Sequence, residues 1–305
     1  MHTFFEVMLF NPKWYHYPSI IVLSPLAVLY GTFMWIRRIL LVPKDFDIPI
    51  VSVGNLVVGG SGKTPFVIVL AKKYENVTII SRGYGRKSKG MIEVSKKGTI
   101  LVDVEYSGDE AMLMALSLPK SSVIVSEDRN KAIRLAKNRG AKFIILDDGF
   151  GRVDIEKLDI VLEPEEIKNY LPFPSGAFRE FCFSKKYADI VLKEGIDFKR
   201  GVSFEDLKSR MLLVTAISQP QRLDKYLPEG VVEKIYLQDH QYFNEKEINK
   251  LFIACRAKSI LCTSKDKVKM AGFKLPISEM KLKLEIKKEI FAQVDAYIEG
   301  CDNER

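Results

Sequence analysis

The stretch that most constrains the fold is residues 48–70, "IPIVSVGNLVVGGSGKTPFVIVL". A β-branched run enters a turn of Gly59, Gly60, Ser61 and Gly62, and Lys63-Thr64 then opens a second apolar run. A strand, a Gly-rich turn and a helix in that order wrap backbone N–H groups around phosphate oxygens at a helix N-terminus. In such a loop the lysine reaches the β- and γ-phosphates of a nucleotide, here Lys63, and the hydroxyl that ligates Mg²⁺ is that of Thr64. One position departs from the pattern G-x-x-x-x-G-K-[ST]: Val57 stands where the first glycine falls. Gly59 and Gly60 still provide a flexible turn. Dimerising ATPases whose loop reads K-G-G-x-G-K-[ST] carry a lysine where this chain has Val58, which argues against that group.

After residue 49 short apolar runs alternate with helix-like stretches. "IPIVSV", "NVTIIS", "SSVIVS", "AKFIIL" and "LDIVL" read as strands, and 64–74, 108–117 and 128–139 have helical spacing. That alternation predicts an α/β fold of P-loop NTPase type, with a mainly parallel sheet and helices on both faces. A second α/β set follows two prolines in "ISQPQRLDKYLPEG": strands at "RMLLVTAIS", "VVEKIYL" and "SILCTS", helices near 219–226 and 244–255, then a strand and an amphipathic helix in the tail. The expected division is an N-terminal helical segment at 1–45, a P-loop core at 46–205 and a smaller C-terminal domain at 206–305 that closes the cleft.

A phosphoryl-transfer site needs a second acidic metal position at a strand end. "KFIILDDGF" provides it, with Asp147 and Asp148 emerging at the edge where open α/β sheets bind ligands. A group that accepts the proton of an attacking hydroxyl is also needed. Asp109 in "YSGDEAML" is a candidate because it opens a helix; a first-turn acid serving only as a cap is the alternative. Of three histidines only His240, in "YLQDHQYF", lies beyond residue 16, so it is the imidazole available to assist such a base. Arg82, Arg86 and Lys87 sit in a Gly-rich basic loop suited to an anion, or else in a solvated hairpin. "LPFPSGAFRE" is a proline-punctuated loop ending in Arg179-Glu180. The four cysteines are far apart, with no C-x-x-C pair, which predicts a reduced protein without structural zinc.

The N-terminus is the compositional exception. Between Lys13 and Arg37 there is no Asp, Glu, Lys or Arg, and Ile20–Ile36 is almost wholly apolar apart from Ser24, Pro25, Gly31 and Thr32. That run falls at the short edge of the about 17–25 residues a span requires. Trp14, Tyr15, Tyr17, Tyr30 and Trp35 suit the headgroup zone, and Arg37, Arg38 and Lys44 flank the run. The expectation is a helix that lies in the interface or inserts halfway, with the rest of the chain on the cytosolic side; a buried core helix is the alternative.

Taken in order, "VGNLVVGGSGKTP", "SRGYGRKSKG", "SGDEAML", "SEDR", "ILDDGF", "LPFPSGAFRE", "QDHQYF" and "CTSKDKVK" resemble the tetraacyldisaccharide 4'-kinases of lipid A synthesis. The absent first glycine is part of that family's loop. The resemblance implies ATP- and Mg²⁺-dependent phosphorylation of the 4'-hydroxyl of a tetraacylated disaccharide 1-phosphate, giving lipid IVA at the cytoplasmic face of the bacterial inner membrane. It also implies that Lys63 and Thr64 bind nucleotide and metal, that Asp147 and Asp148 organise the metal, and that Asp109 with His240 forms the base dyad. Arg179 and Glu180, with Arg82 of the basic loop, fall on the acceptor side. The chain departs from the family where Gly151-Arg152 replaces a Gln-His pair after Phe150, at Gln241, and at Ser264.

A net charge of +8 fits a phosphorylated ligand and a membrane surface. No aromatic-basic module or zinc motif supports nucleic-acid binding, and no obligate protein partner is indicated. The rival function is a regulatory P-loop ATPase or GTPase at the membrane; for guanine selection the aspartate of "TSKDK" comes one residue early for N-K-x-D.

Overall fold

A computed structural model describes residues 4–59 and 62–303. In chain order the strands are β1 (Ile50–Gly54), β2 (Val77–Ser81), β3 (Ile92–Lys96), β4 (Thr99–Ile100), β5 (Ser122–Val125), β6 (Phe143–Asp147) and β7 (Leu158–Glu163). They continue with β8 (Ile190–Lys193), β9 (Phe198–Glu205), β10 (Met211–Thr215), β11 (Val231–Tyr236), β12 (Ser259–Thr263) and β13 (Ile277–Ile286). The α-helices are α1 (Phe4–Phe10), α2 (Tyr17–Leu40), α3 (Lys63–Ala71), α4 (Val104–Ser107), α5 (Asp109–Ser117), α6 (Arg129–Asn138), α7 (Glu245–Ala254), α8 (Ser264–Lys267) and α9 (Lys288–Asn303). The strands make one large, mostly parallel sheet and a second, smaller one, so the α/β expectation holds.

The chain divides into two compact units, each assembled from separated stretches. The first is Met1–Leu70, Ile133–Lys199 and Ile286–Arg305; the second is Ala71–Ala132 and Arg200–Glu285.

In the first unit the strand order is β6-β1-β7-β8, all parallel, with Val51 opposite Ile145 on one side and Leu158 on the other. Every residue of β1 and β6 is buried, which is why both read as mainly apolar runs rather than alternating ones. The polar break in β1, Ser52, donates to the buried Asp159 carboxylate of β7. Below the β1 end a small core gathers Leu56, Val57, Phe150, Val161, Ala177 and Phe178. Val57, at the place of the missing glycine, is therefore a core side chain.

Helix α2 packs by one narrow face. Ile20, Ala27 and Gly31 are buried, and a Cβ on Gly31 would come within 2.8 Å of the Phe181 ring. The Ser175 hydroxyl donates to the Ile20 carbonyl at 3.1 Å. The rest of its surface leaves Ile21, Val22, Leu26, Leu29, Phe33, Ile36 and Leu40 exposed, next to an exposed Trp14. An apolar helix of this length is consistent with membrane association. Of the basic flank, Arg38 turns inward rather than toward headgroups: its guanidinium lies 4.2 Å from the Phe150 ring centroid and pairs with Glu180.

In the second unit β2 and β5 pair parallel, while β3 runs antiparallel to both β5 and β4. The smaller sheet has the order β11-β10-β12-β13-β9, and β10 through β13 pair parallel. Its two faces carry separate cores, one around Leu212, Val214 and Ile260, the other around Met211, Leu213 and Leu261. The expected helix near 219–226 is a 3₁₀ stretch, Pro220–Tyr226, bracketed by the prolines that limit it to tight turns.

Candidate active site

Two clusters of functional side chains stand out, one in each unit. The first begins where β1 ends. The Asn55 amide donates to the Val57 carbonyl, and its Oδ1 accepts from the Lys63 ammonium at 3.0 Å, so the turn is braced across its own mouth. Gly59 and Gly62 have φ of +97° and +79°, values that favour glycine. Gly60 and Ser61 lie outside the described residues. Lys63 opens α3, and Thr64 and Pro65 complete its first turn, where the missing proline N–H costs nothing.

Asp147 closes β6 as a buried residue, and Asp148 follows in the left-handed region at φ +55°. The Asp148 N–H donates to the Val53 carbonyl at 2.9 Å, which ties the acidic pair to the strand that carries the glycine loop. Arg179 Nη1 donates to both Asp148 oxygens at 2.9 and 2.7 Å, and Lys63 Nζ is 3.5 Å from Oδ1. Burial works against ionisation of Asp148, but the charges of Lys63 and Arg179 outweigh it and hold the carboxyl below its ordinary range. Glu180 faces the other way, accepting from Arg38 Nε at 3.0 Å and Nη2 at 2.8 Å.

The second cluster is built at the start of α5. Gly108, at φ +83°, turns the chain so that Asp109, only 3% exposed, opens the helix with its side chain inward. Both Asp109 oxygens lie 3.0 Å from His240 Nδ1, and Oδ1 also accepts the Glu110 N–H at 2.9 Å. An ionised carboxylate only accepts, so the contact with Asp109 is one in which His240 Nδ1 carries a proton and donates it, while Nε2 lies 3.7 Å from Asp239 Oδ2. Lys265 and Lys269 approach Asp109 Oδ2 at 3.8 and 3.6 Å. Burial again opposes ionisation; the His240 hydrogen bond and the nearby cations prevail, and the Asp109 carboxyl is held below its ordinary range.

His240 itself has φ +62°, and its N–H donates to the Ala216 carbonyl at 3.2 Å beyond β10. The exposed Tyr84 ring flanks the imidazole at 5.0 Å, and a Cβ on Gly85 would meet it at 3.2 Å. Of the three loop cations Arg82, just past β2, is exposed and forms no ion pair among the described residues. Arg86 folds inward onto Glu127 at 2.5 Å, and Lys87 pairs with Glu105 at 2.7 Å.

These clusters can now be set beside known proteins. The family model for tetraacyldisaccharide-1-P 4'-kinase matches residues 19–206 and 199–299. The chain is 45% identical over 297 residues to the tetraacyldisaccharide 4'-kinase of Helicobacter pylori strain HPAG1, covering 97% of this chain and 95% of that one. It is 44% identical over 307 residues to that of Aliarcobacter butzleri, covering 98% of each. The chain belongs to the tetraacyldisaccharide 4'-kinase family. Among solved structures, LpxK from Aquifex aeolicus, described as an "apo" form in complex with ATP, superposes with a TM-score of 0.77 at 29% identity, covering 92% of this chain and 99% of that one.

Within this family member the expected residues fall into two groups. Lys63, Asp148 and Arg179 are brought into contact in the first unit, with Asp147 and Thr64 on the adjoining strand and helix. Asp109 and His240 are brought into contact in the second. Arg82 forms no ion pair with Asp109 or His240 among the described residues, and Glu180 is engaged by Arg38. Sequence reasoning missed Asn55, Arg38, Lys265, Lys269 and Tyr84 as participants. All but Arg38 lie inside the family motifs, "VGNLVVGGSGKTP", "SRGYGRKSKG" and "CTSKDKVK"; nothing local distinguishes Arg38 from an ordinary basic flank.

Proposed function

We propose that the chain transfers the γ-phosphate of ATP to the 4'-hydroxyl of a tetraacyldisaccharide 1-phosphate, producing lipid IVA. The observation that carries this reading is the Asp109–His240 pair, because a switch ATPase has no need of a buried proton-accepting dyad for a sugar hydroxyl. Membership of the kinase family supports the same choice.

The nucleotide phosphates would be held by the loop Gly59, Gly60, Ser61 and Gly62 and by the α3 N-terminus, with Lys63 at the β- and γ-phosphates. Mg²⁺ suits the donors at hand. Thr64, Asp147 and Asp148 supply hard oxygens, and Mg²⁺ normally takes one or two carboxylates and completes its shell with phosphate and water. When bound, the ion would neutralise charge on the transferring phosphoryl group.

The chain's own residues do the rest. Lys63 offsets the negative charge that shifts toward the β–γ bridging oxygen, and Asn55 fixes its ammonium in the loop. Arg179 holds Asp148, so it orients the metal ligand as well as offering a cation on the acceptor side. The acceptor hydroxyl gives its proton to the Asp109–His240 pair, where the ionised Asp109 keeps the imidazole in the Nδ1–H form. Arg82, an exposed cation, would serve a phosphate of the acceptor, and Glu180 would contribute by fixing Arg38 against Phe150.

The lipid acceptor fits the exposed apolar surface of α2, which would lie in the cytoplasmic surface of the inner membrane rather than cross it, since Ile20, Ala27 and Gly31 pack on protein. The test is incubation of detergent-solubilised protein with Mg²⁺, γ-labelled ATP and the tetraacyldisaccharide 1-phosphate, followed by organic extraction. Label in the lipid phase that depends on Asp109 is expected; label released only as inorganic phosphate would overturn the reading.

A further inference from the structure

A buried ammonium ties the dyad together from behind. Lys269 lies in the 3₁₀ turn Val268–Met270 with its side chain only 1% exposed, an environment hostile to an uncompensated charge. Its Nζ sits between two carboxylates, 3.6 Å from Asp109 Oδ2 and 3.5 Å from Asp266 Oδ1. It also donates to the Gln241 carbonyl at 3.3 Å and lies 4.9 Å from the Phe243 ring centroid.

Asp266 does not need Lys269 for its hydrogen bonds. It already accepts from the Thr215 and Thr263 hydroxyls, both at 2.7 Å, and from the Ala216 N–H at 3.0 Å. Ala216 in turn receives the His240 N–H on its carbonyl. One ammonium therefore contacts the acid, the peptide that follows the histidine, and the carboxylate that pins the strand end on which the histidine turn rests. The neighbouring Lys265 does not duplicate this. It is more exposed and divides its charge among Glu110 at 3.1 Å, Asp239 at 3.7 Å and Asp109 at 3.8 Å.

We propose that Lys269 is a positioning residue for phosphoryl transfer: it holds the Asp109 carboxylate against His240 Nδ1 and thereby fixes the imidazole as the Nδ1–H form. The role rests on the reading of Asp109 and His240 as the proton-accepting pair. Lys269 is buried rather than open to a ligand. It acts by placing charge behind Asp109, whose other neighbours are His240 from the turn after β11, Lys265 from α8, Glu110 on its own helix, and the Tyr242 hydroxyl, which burial and the charges of Glu105 and Asp109 push up.

The test compares wild type with Lys269→Met, Lys269→Arg and Lys269→Gln in kinase assays across pH, with ¹⁵N-histidine spectra of each. Only three histidines are present, so the His240 ring is directly readable. Loss of the charge is expected to lower kcat about tenfold or more, to leave KM for ATP within about twofold, and to move the acid limb of kcat upward by about one pH unit. The His240 ring nitrogens should shift from the Nδ1–H form toward a tautomer mixture, and Lys269→Arg should recover most of the limb. Lys269→Gln keeps a donor for the Gln241 carbonyl and carries the test where Lys269→Met lacks the wild-type circular dichroism spectrum. An unchanged His240 spectrum and acid limb in a folded, uncharged variant would overturn the proposal, whether or not kcat falls. Failure of the underlying reading looks different: Asp109→Asn of otherwise wild-type protein would then leave kcat intact.

Discussion

Removing the Glu180 carboxylate should destabilise the protein far more than breaking a surface ion pair. Glu180 and Arg38 are 4% and 7% exposed, and their two contacts at 2.8 and 3.0 Å form a bidentate fork. Each hydrogen bond to a charged group contributes about 1.5–3 kcal/mol, and truncating one member of a buried pair costs about 3–5 kcal/mol because the other charge stays behind. Arg38 cannot swing free cheaply, since it is also stacked on Phe150 and donates to the Phe150 carbonyl at 3.3 Å. We therefore expect Glu180→Ala to cost about 3–5 kcal/mol, and Glu180→Gln, which keeps one acceptor, about half as much. Urea unfolding in detergent reads the cost. Arg38→Met combined with Glu180→Leu should recover most of it, since an apolar pair of similar volume carries no desolvation penalty. A loss below about 1 kcal/mol for Glu180→Ala, the range of exposed pairs, would refute the reasoning.

Asp109→Asn should reduce kcat by about 10²–10⁴ while KM for ATP stays within about twofold, as steady-state kinetics with saturating lipid would show. Asp109 and Asp148 are both held below the ordinary carboxylate range, so the stability each lends as an ion is complete above the unfolded value of about 4 and is lost as pH falls through the lowered folded values. Acid unfolding monitored by fluorescence should accordingly steepen below about pH 4 and be shallower in Asp109→Asn. Gly85→Ala places a Cβ 3.2 Å from the His240 ring at a φ of +75°. It should cost about 1–2 kcal/mol of stability and lower kcat more than KM; unchanged kcat would show that the imidazole tolerates displacement.

The glycine loop, the strands feeding it and the acidic pair were legible because each is a local pattern: β-branched runs, a turn that needs positive φ, carboxylates at a strand end. Pairing of Asp109 with His240 was not local. The two are 131 positions apart, and the scarcity of histidines and the ordered family motifs suggested a partnership that spacing could not. Arg38 shows the opposite failure. A basic residue after an apolar run reads as a headgroup anchor, yet Glu180, 142 positions away, draws it into the protein. The sequence offers Arg86 as an anion clamp or as part of a solvated hairpin, but its stem folds back past Gly83 onto Glu127. The antiparallel β3–β4 edge went unseen because charged Glu93, Lys96 and Lys97 interrupt the apolar pattern of "MIEVSKKGTI", as edge strands tend to show. The two compact units interleave along the chain, and interleaving leaves no compositional mark at a boundary.

The most direct test of the central claim is the position of the new phosphate. After reaction with ATP and the tetraacyldisaccharide 1-phosphate, ³¹P–¹H correlation of the purified lipid should show one added phosphorus coupled to the proton on carbon 4' of the distal sugar, with the 1-phosphate unchanged. ATP consumed with no new phosphorus on the lipid, or a phosphate on any other carbon, would contradict the account.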